Sequence, residues 1–179
     1  MDKNIFWLLS ANPVVEFNAR MNLFHQDFDQ EEVKDSKKRM LEDPLIRSII
    51  KEFSDWPGPP LKRHNDANHL IHKLVFLADI GLNQNDLKIE SIAQKIFKQQ
   101  SEEGPFRVSL NISPSYGGSG KDELAWLLCD TPLITYALAK LGWKDDPRVI
   151  KSAQSIAALI QEVGCLCTGS EKIGKFRGP

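Results

Sequence analysis

The chain has 179 residues, 41% of them apolar, with 23 basic against 24 acidic side chains and a formal net charge of −1. That is enough chain to bury one sizeable core, or one incomplete layer of a larger array, and the default organisation is a single domain over residues 1–179. Balanced charge provides no global field to attract nucleic acid, and no apolar run reaches the roughly 20 residues needed to span a bilayer.

The opening Met1–Leu9 lacks the long apolar centre and cleavage site of a signal peptide, which places the protein in the cytoplasm. Cys129, Cys165 and Cys167 are an odd set, with two of them one residue apart. They read as reduced thiols and not as a disulfide framework.

Helix starts are signalled in chain order at Asn12-Pro13, Asp43-Pro44, Asp86-Leu87 and Asp146-Pro147. An Asn or Asp side chain accepts from a free N–H of the first turn, and proline at the first helical position gives up no helix bond. Between the first two caps, Gln30–Arg39 alternates charges at helical neighbour spacing and predicts a solvated helix face. After the later caps, Ile46, Ile49, Ile50 and Phe53 share one helical face, as do Ile89, Ile92, Ala93 and Ile96, and then Val149, Ile150, Ala153, Ile156, Ala157 and Ile160.

Two more continuously apolar helices are expected, one over about Asn65 to Ile80 and one over about Asp122 to Leu141, the second kinked or restarted at Asp130-Thr131-Pro132. Between them, Ser101 to Lys121 contains Pro105, Pro114 and Tyr116-Gly117-Gly118-Ser119-Gly120 and reads as a long connection, either a lid or a spacer. Its glycines do not form a phosphate loop, because Asp122 stands where Ser or Thr is required and no strand is expected before it.

The chain repeats itself. Leu77-Ala78-Asp79-Ile80-Gly81-Leu82 aligns with Leu138-Ala139-Lys140-Leu141-Gly142-Trp143 at an offset of 61 residues, with each glycine suited to a left-handed helix end. The turn Gln99-Gln100-Ser101-Glu102-Glu103-Gly104-Pro105-Phe106 follows one amphipathic helix, and Gln161-Glu162-Val163-Gly164-Cys165-Leu166 repeats it weakly after another. This Gln…Glu-x-Gly-x-aromatic pattern resembles the repeats of the prenyltransferase and squalene-oxidase type, over about residues 43 to 179.

The resemblance implies an all-α fold of helical hairpins forming part of an α/α toroid, as in terpene cyclases and prenyltransferases. It implies a small apolar or isoprenoid-like ligand in a cavity lined by inner helices, with zinc as the cofactor if the chemistry is that of a protein prenyltransferase. About six hairpins complete such a barrel and only three or four are found, so the chain reads as incomplete at its C-terminus. Gly174-Lys175-Phe176-Arg177 resembles connections that elsewhere lead into another helix. A second copy covering the open end is the expected remedy. The acidic signature of one cyclase class is absent, since Asp145-Asp146 is explained by capping.

Candidate site residues follow. Asp66, His69 and His72 recur at i, i+3 spacing and, on a helix, would share a face as acid, base or metal ligands. At the repeat offset, Asn68 and His69 superpose on Cys129 and Asp130, which makes Asp66, His69, His72 and Asp130 the catalytic candidates and His69, Cys129 and Asp130 the metal candidates. The bland reading gives Asp66 a capping role, leaves the histidines on the surface, and makes Cys129 a buried thiol beside an Asp130 cap. Trp126 and Tyr136 would offer π faces to a ligand. Cys165-Leu166-Cys167 lacks zinc-knuckle spacing. The rival function is a non-catalytic helical scaffold for a protein partner.

Overall fold

A computed structural model describes residues 3–116, 118–161, 164, 165 and 169. These residues form two compact units, Met1–Lys51 and Glu52–Pro179. Helix accounts for 56% of the structure and strand for 8%, so the protein is mostly helical without being all-α. Among the described residues no helix is long and apolar enough to cross a membrane.

In the first unit a 3₁₀ segment, Lys3–Ser10, precedes α1 (Pro13–Asn18), which runs into a π-turn over Ala19–Leu23, and α2 (Glu31–Glu42) then packs on α1. The Asn12 cap forms, with the Val15 N–H donating to Oδ1 at 3.0 Å. Buried Glu16 is held by Arg20 at 2.9 Å and Arg39 at 2.8 Å, so the α1–α2 contact carries a neutralised carboxylate beside the apolar Val33 and Met40. The charged run forms α2 as expected. Asp43 caps α3 (Pro44–Glu52), accepting from the Leu45 N–H at 2.8 Å.

The second unit contains α4 (Leu70–Asp79), α5 (Ile89–Phe97), β1 (Val108–Leu110), β2 (Glu123–Ala125), α6 (Thr131–Leu138) with a π-turn over Ala139–Trp143, α7 (Pro147–Ala157), and a short antiparallel pair, β3 (Ile160–Gln161) with β4 (Gly164–Cys165). The side chain of Cys165, all of Cys167 and the tail from Gly174 lie outside the described residues. The two aligned stretches of sequence meet in space. α4 and α6 pack on each other, Gly81 and Gly142 both take positive φ, and repeat-equivalent Asp79 and Lys140 pair across the two helices at 2.5 Å.

Three expectations are corrected. The helix expected from Asn65 begins only at Leu70, because Arg63–Asn68 closes turns on itself, with the Asp66 N–H donating to the Arg63 carbonyl and the Asn68 N–H to Asp66 Oδ1. The helix expected from Asp122 begins at Thr131, since Glu123–Ala125 pairs antiparallel with β1 and Pro132 suits a first turn. Asp86 does not cap α5. Its carboxylate accepts from the Asn83 N–H, and Lys88 in a left-handed conformation starts the helix.

The small sheet arises inside the segment read as a plain connection. Val108, Ser109 and Leu110 alternate buried, half-buried and buried, and Leu61 joins the other edge of β1, donating to the Ser109 carbonyl and accepting from the Asn111 N–H. The Gln…Gly motif proves to be a staple onto α7. Gln100 Nε2 donates to the carbonyls of Gly104 and Arg148, and Ser155 Oγ donates to the Glu103 carbonyl. Gly104 has φ of +120°, and a Cβ there would lie 2.3 Å from Ser155 Oγ, so only glycine lets the turn approach α7 this closely.

Candidate functional site

The sheet edge and the start of α6 bring two separate segments together. Leu61, fixed to β1, is followed by the loop Lys62–His69. His72 on α4 donates from Nε2 to the His64 carbonyl at 2.7 Å, which pins the loop from its other end. Opposite, the N–H groups of Asp130 and Thr131 both donate to the Leu127 carbonyl, a tight turn that presents Cys129 to solvent just before α6.

Across this gap His64 Nδ1 lies 3.0 Å from Oδ1 and 3.2 Å from Oδ2 of Asp130, while its Nε2 lies 3.6 Å from the Cys129 sulfur. One imidazole therefore bridges a carboxylate and a thiol. Asp130 is 2% exposed and the His64 side chain 52% exposed, so the ring is anchored from the protein side and open on the other. The Asp130 carboxylate, and then the Cys129 sulfur, push the His64 pKa up to about 10, so the ring is an imidazolium at neutral pH.

Asp130 occupies the N-cap position of α6 but makes no capping bond. Its carboxylate turns to His64 instead, which corrects the capping role, and Cys129 is exposed where a buried thiol was expected.

The group opens onto a cavity of about 820 Å³, within the range of small-molecule sites. Its wall includes the apolar residues Ile112 and Leu127, the aromatic Tyr116, and the polar residues Lys62, Arg63 and Asn65. The loop behind Ile112 is tight. Gly118 and Gly120 fold back on it, and a Cβ on Gly118 would stand 2.2 Å from the Ile112 carbonyl oxygen.

Of the residues singled out from sequence, Asp130 and Cys129 come together here and the others do not. His69 is buried as the N-cap of α4, with Nδ1 accepting from the Ile71 N–H and Nε2 donating to the Pro59 carbonyl. Both nitrogens are occupied and burial lowers its pKa, so it is a neutral cap and neither a metal ligand nor a proton shuttle. Asp66 is exposed and closes its own turn onto Asn68. His72 acts only through the His64 backbone. Trp126 is buried, with its indole N–H 3.4 Å from Glu103, and Tyr136 donates to Asp79 on an exposed helix face; neither lines the cavity.

His64 was missed, although it precedes Asn65-Asp66 by one residue. The i, i+3 spacing of Asp66, His69 and His72 does not include it, and the only signal in the sequence is the imidazole itself.

His64, Cys129 and Asp130 also form a group whose possible ligand atoms lie within 4.8 Å of one another. Tetrahedral zinc would draw its ligands to roughly 3.3–3.8 Å apart. The Nδ1–Asp130 bond further commits the carboxylate to orienting the ring, so the geometry fits a hydrogen-bonded triad better than three ligands on one ion.

No family model, curated protein or solved structure matches the chain. Function is therefore argued from the site itself.

Proposed function

We propose that the protein is a thiol-dependent acyl-transfer enzyme acting on a small molecule, with Cys129 as nucleophile, His64 as proton donor and acceptor, and Asp130 as the positioning residue. The observation that carries this reading is the single imidazole joined to the carboxylate through Nδ1 and to the sulfur through Nε2 at the mouth of the cavity. A base oriented by a third group beside an accessible nucleophile is the arrangement that covalent catalysis needs.

The Cys129 sulfur attacks the carbonyl carbon as thiolate, forming a C–S bond, and the bond to the leaving group breaks as the His64 imidazolium gives it the Nε2 proton. Water then attacks the thioester, neutral His64 takes its proton, and the carboxylic acid leaves with the thiolate restored. The Asn65 amide on the cavity wall is suited to donate to the carbonyl oxygen as charge builds there.

Acylation by a p-nitrophenyl ester, read by mass spectrometry peptide by peptide, tests the reading. A thioester should form on Cys129 and fail to form in Cys129→Ala, and should slow about 10²–10⁴-fold in His64→Ala. Uniform labelling of all three cysteines, indifferent to His64, would overturn it.

For the architecture, the prenyltransferase-like repeat is supported by the packed α4–α6 pair and the matched glycines at Gly81 and Gly142. On that reading α4–α5 and α6–α7 are two turns of an α/α array. An isoprenoid-like ligand held by Trp126 and Tyr136 gains no support from their positions, and the apolar part of a ligand would instead meet Ile112, Tyr116 and Leu127.

A further inference from the structure

The cavity wall is electrostatically one-sided. Lys62 and Arg63 stand on it next to His64, and among the described residues neither makes an ion pair. Elsewhere several long basic side chains are matched, Arg20 and Arg39 by Glu16, Lys73 by Glu52, Lys140 by Asp79, and Arg148 by Asp146. Carboxylates in the neighbouring loops have other partners, Asp130 with His64, Asp122 with the Asn111 amide at 2.6 Å and Asp66 with the Asn68 N–H at 3.0 Å. The chain as a whole has a net charge of −1, and this cavity wall sets two basic side chains without ion-pair partners side by side. Ile112, Tyr116 and Leu127 meanwhile give that cavity an apolar wall.

Building on the thiol-enzyme reading, we infer that its substrate is a small amphiphilic anion whose oxyanion head, a carboxylate or a phosphate, is held by Lys62 and Arg63 while its apolar body lies against Ile112, Tyr116 and Leu127. Guanidinium offers paired N–H donors to such a head, and an ammonium beside it adds a point charge. A concave positive site also concentrates anions from solution before any contact forms. A cavity of about 820 Å³ admits a small acyl compound and not a folded protein.

The test compares alkylation of Cys129 by anionic iodoacetate and by neutral iodoacetamide, with rates read on the Cys129 peptide of the full chain and on glutathione as a free thiol. The iodoacetate-to-iodoacetamide ratio at Cys129 should exceed that of glutathione by about tenfold or more, as expected for electrostatic concentration. Lys62→Gln combined with Arg63→Gln should bring the ratio to within about twofold of glutathione, a change in the ratio being independent of any change in the thiol's own reactivity. In the unmutated protein, about 1 M salt, with a screening length near 3 Å, should lower the ratio in the same direction. A ratio equal to that of glutathione, or one indifferent to both salt and the double substitution, overturns the inference.

The head group is resolved by protection against iodoacetamide. Hexanoate or hexyl phosphate should protect Cys129 at concentrations where hexanol does not, and the better of the two identifies the head. Equal protection by hexanol contradicts an anion site. The two proposals fail separately, because loss of the His64 effect on the iodoacetamide rate counts against the triad, whereas loss of the anion preference counts only against the substrate class.

Discussion

The N-termini of α4 and α6 fall at matching positions when the sequence is aligned at the 61-residue offset, and they use their capping residues differently. At α4, His69 turns its ring onto its own helix and the Pro59 carbonyl, is buried, and has no donor or acceptor left for a ligand. At α6, Asp130 sits at the corresponding position, leaves the first turn without a side-chain cap and reaches His64. A good cap contributes about 1 kcal/mol to a helix. A carboxylate that forgoes this to orient an imidazole is the mark of a site, while the histidine that caps is the mark of a scaffold.

The sharpest way to break this contrast is to remove one residue from each end. Cys129→Ala should abolish thioester formation completely while leaving thermal unfolding within about 0.5 kcal/mol of the parent, as for an exposed side chain. His69→Ala should do the reverse, lowering stability by about 1–2 kcal/mol through the lost cap while Cys129 in the folded fraction keeps its alkylation rate. If His69→Ala abolished acylation without loss of stability, the roles assigned to the two helix starts would be exchanged.

Asp130→Asn sharpens the comparison from the α6 side. Acylation should fall by about 10²-fold or more, because the amide no longer holds the imidazolium. His64, followed by NMR, should titrate near 10 in the parent and move down toward its ordinary 6.5 in the variant, a shift that a purely structural role for Asp130 would not produce.

The pH dependence of stability has a definite sign. His64 is protonated in both states below pH 6.5 and only in the folded state between 6.5 and about 10, so its contribution is fully present below 6.5 and is lost as pH rises through 10. The stability difference between parent and His64→Ala, from urea unfolding, should shrink across that interval. A difference that grew with pH would reverse the assignment of charge.

The smallest effect on chemistry is expected away from both helix starts. Gln100→Ala removes the donor shared by the Gly104 and Arg148 carbonyls and should cost about 1–3 kcal/mol of stability with little change in acylation per folded molecule.

Much of the helical framework was legible because caps and apolar spacing are local. Asn12, Asp43 and Asp146 each accept from their own first turn, and the faces of Ile46, Ile49, Ile50 and Phe53 and of Ile89, Ile92, Ala93 and Ile96 are buried, whereas of the face expected on α7 only Val149 is buried, with Ile150, Ala153, Ala157 and Ile160 exposed and Ile160 beyond the helix. Asp86 failed as a cap because a competing turn at Asn83 took its carboxylate. The strands were hidden because three-residue β1 gains its partners from Leu61 and from Glu123–Ala125, which are distant in sequence. Two of the three candidate-site residues were legible, Cys129 and Asp130, by their alignment with Asn68 and His69. His64 was not, because its contact with Asp130 crosses 66 residues and depends on the sheet edge that places its loop. A helical spacing imposed on Asp66, His69 and His72 pointed past it.

The most direct measurement is the rate of iodoacetamide reaction at Cys129, resolved by peptide, at about pH 6 in the parent and in His64→Ala. The account predicts that the parent reacts at least about tenfold faster than the variant, since His64 Nε2 lies 3.6 Å from the sulfur and the substitution removes that partner. Equal rates in the two proteins would show that His64 and Cys129 do not act as a unit and would contradict the account.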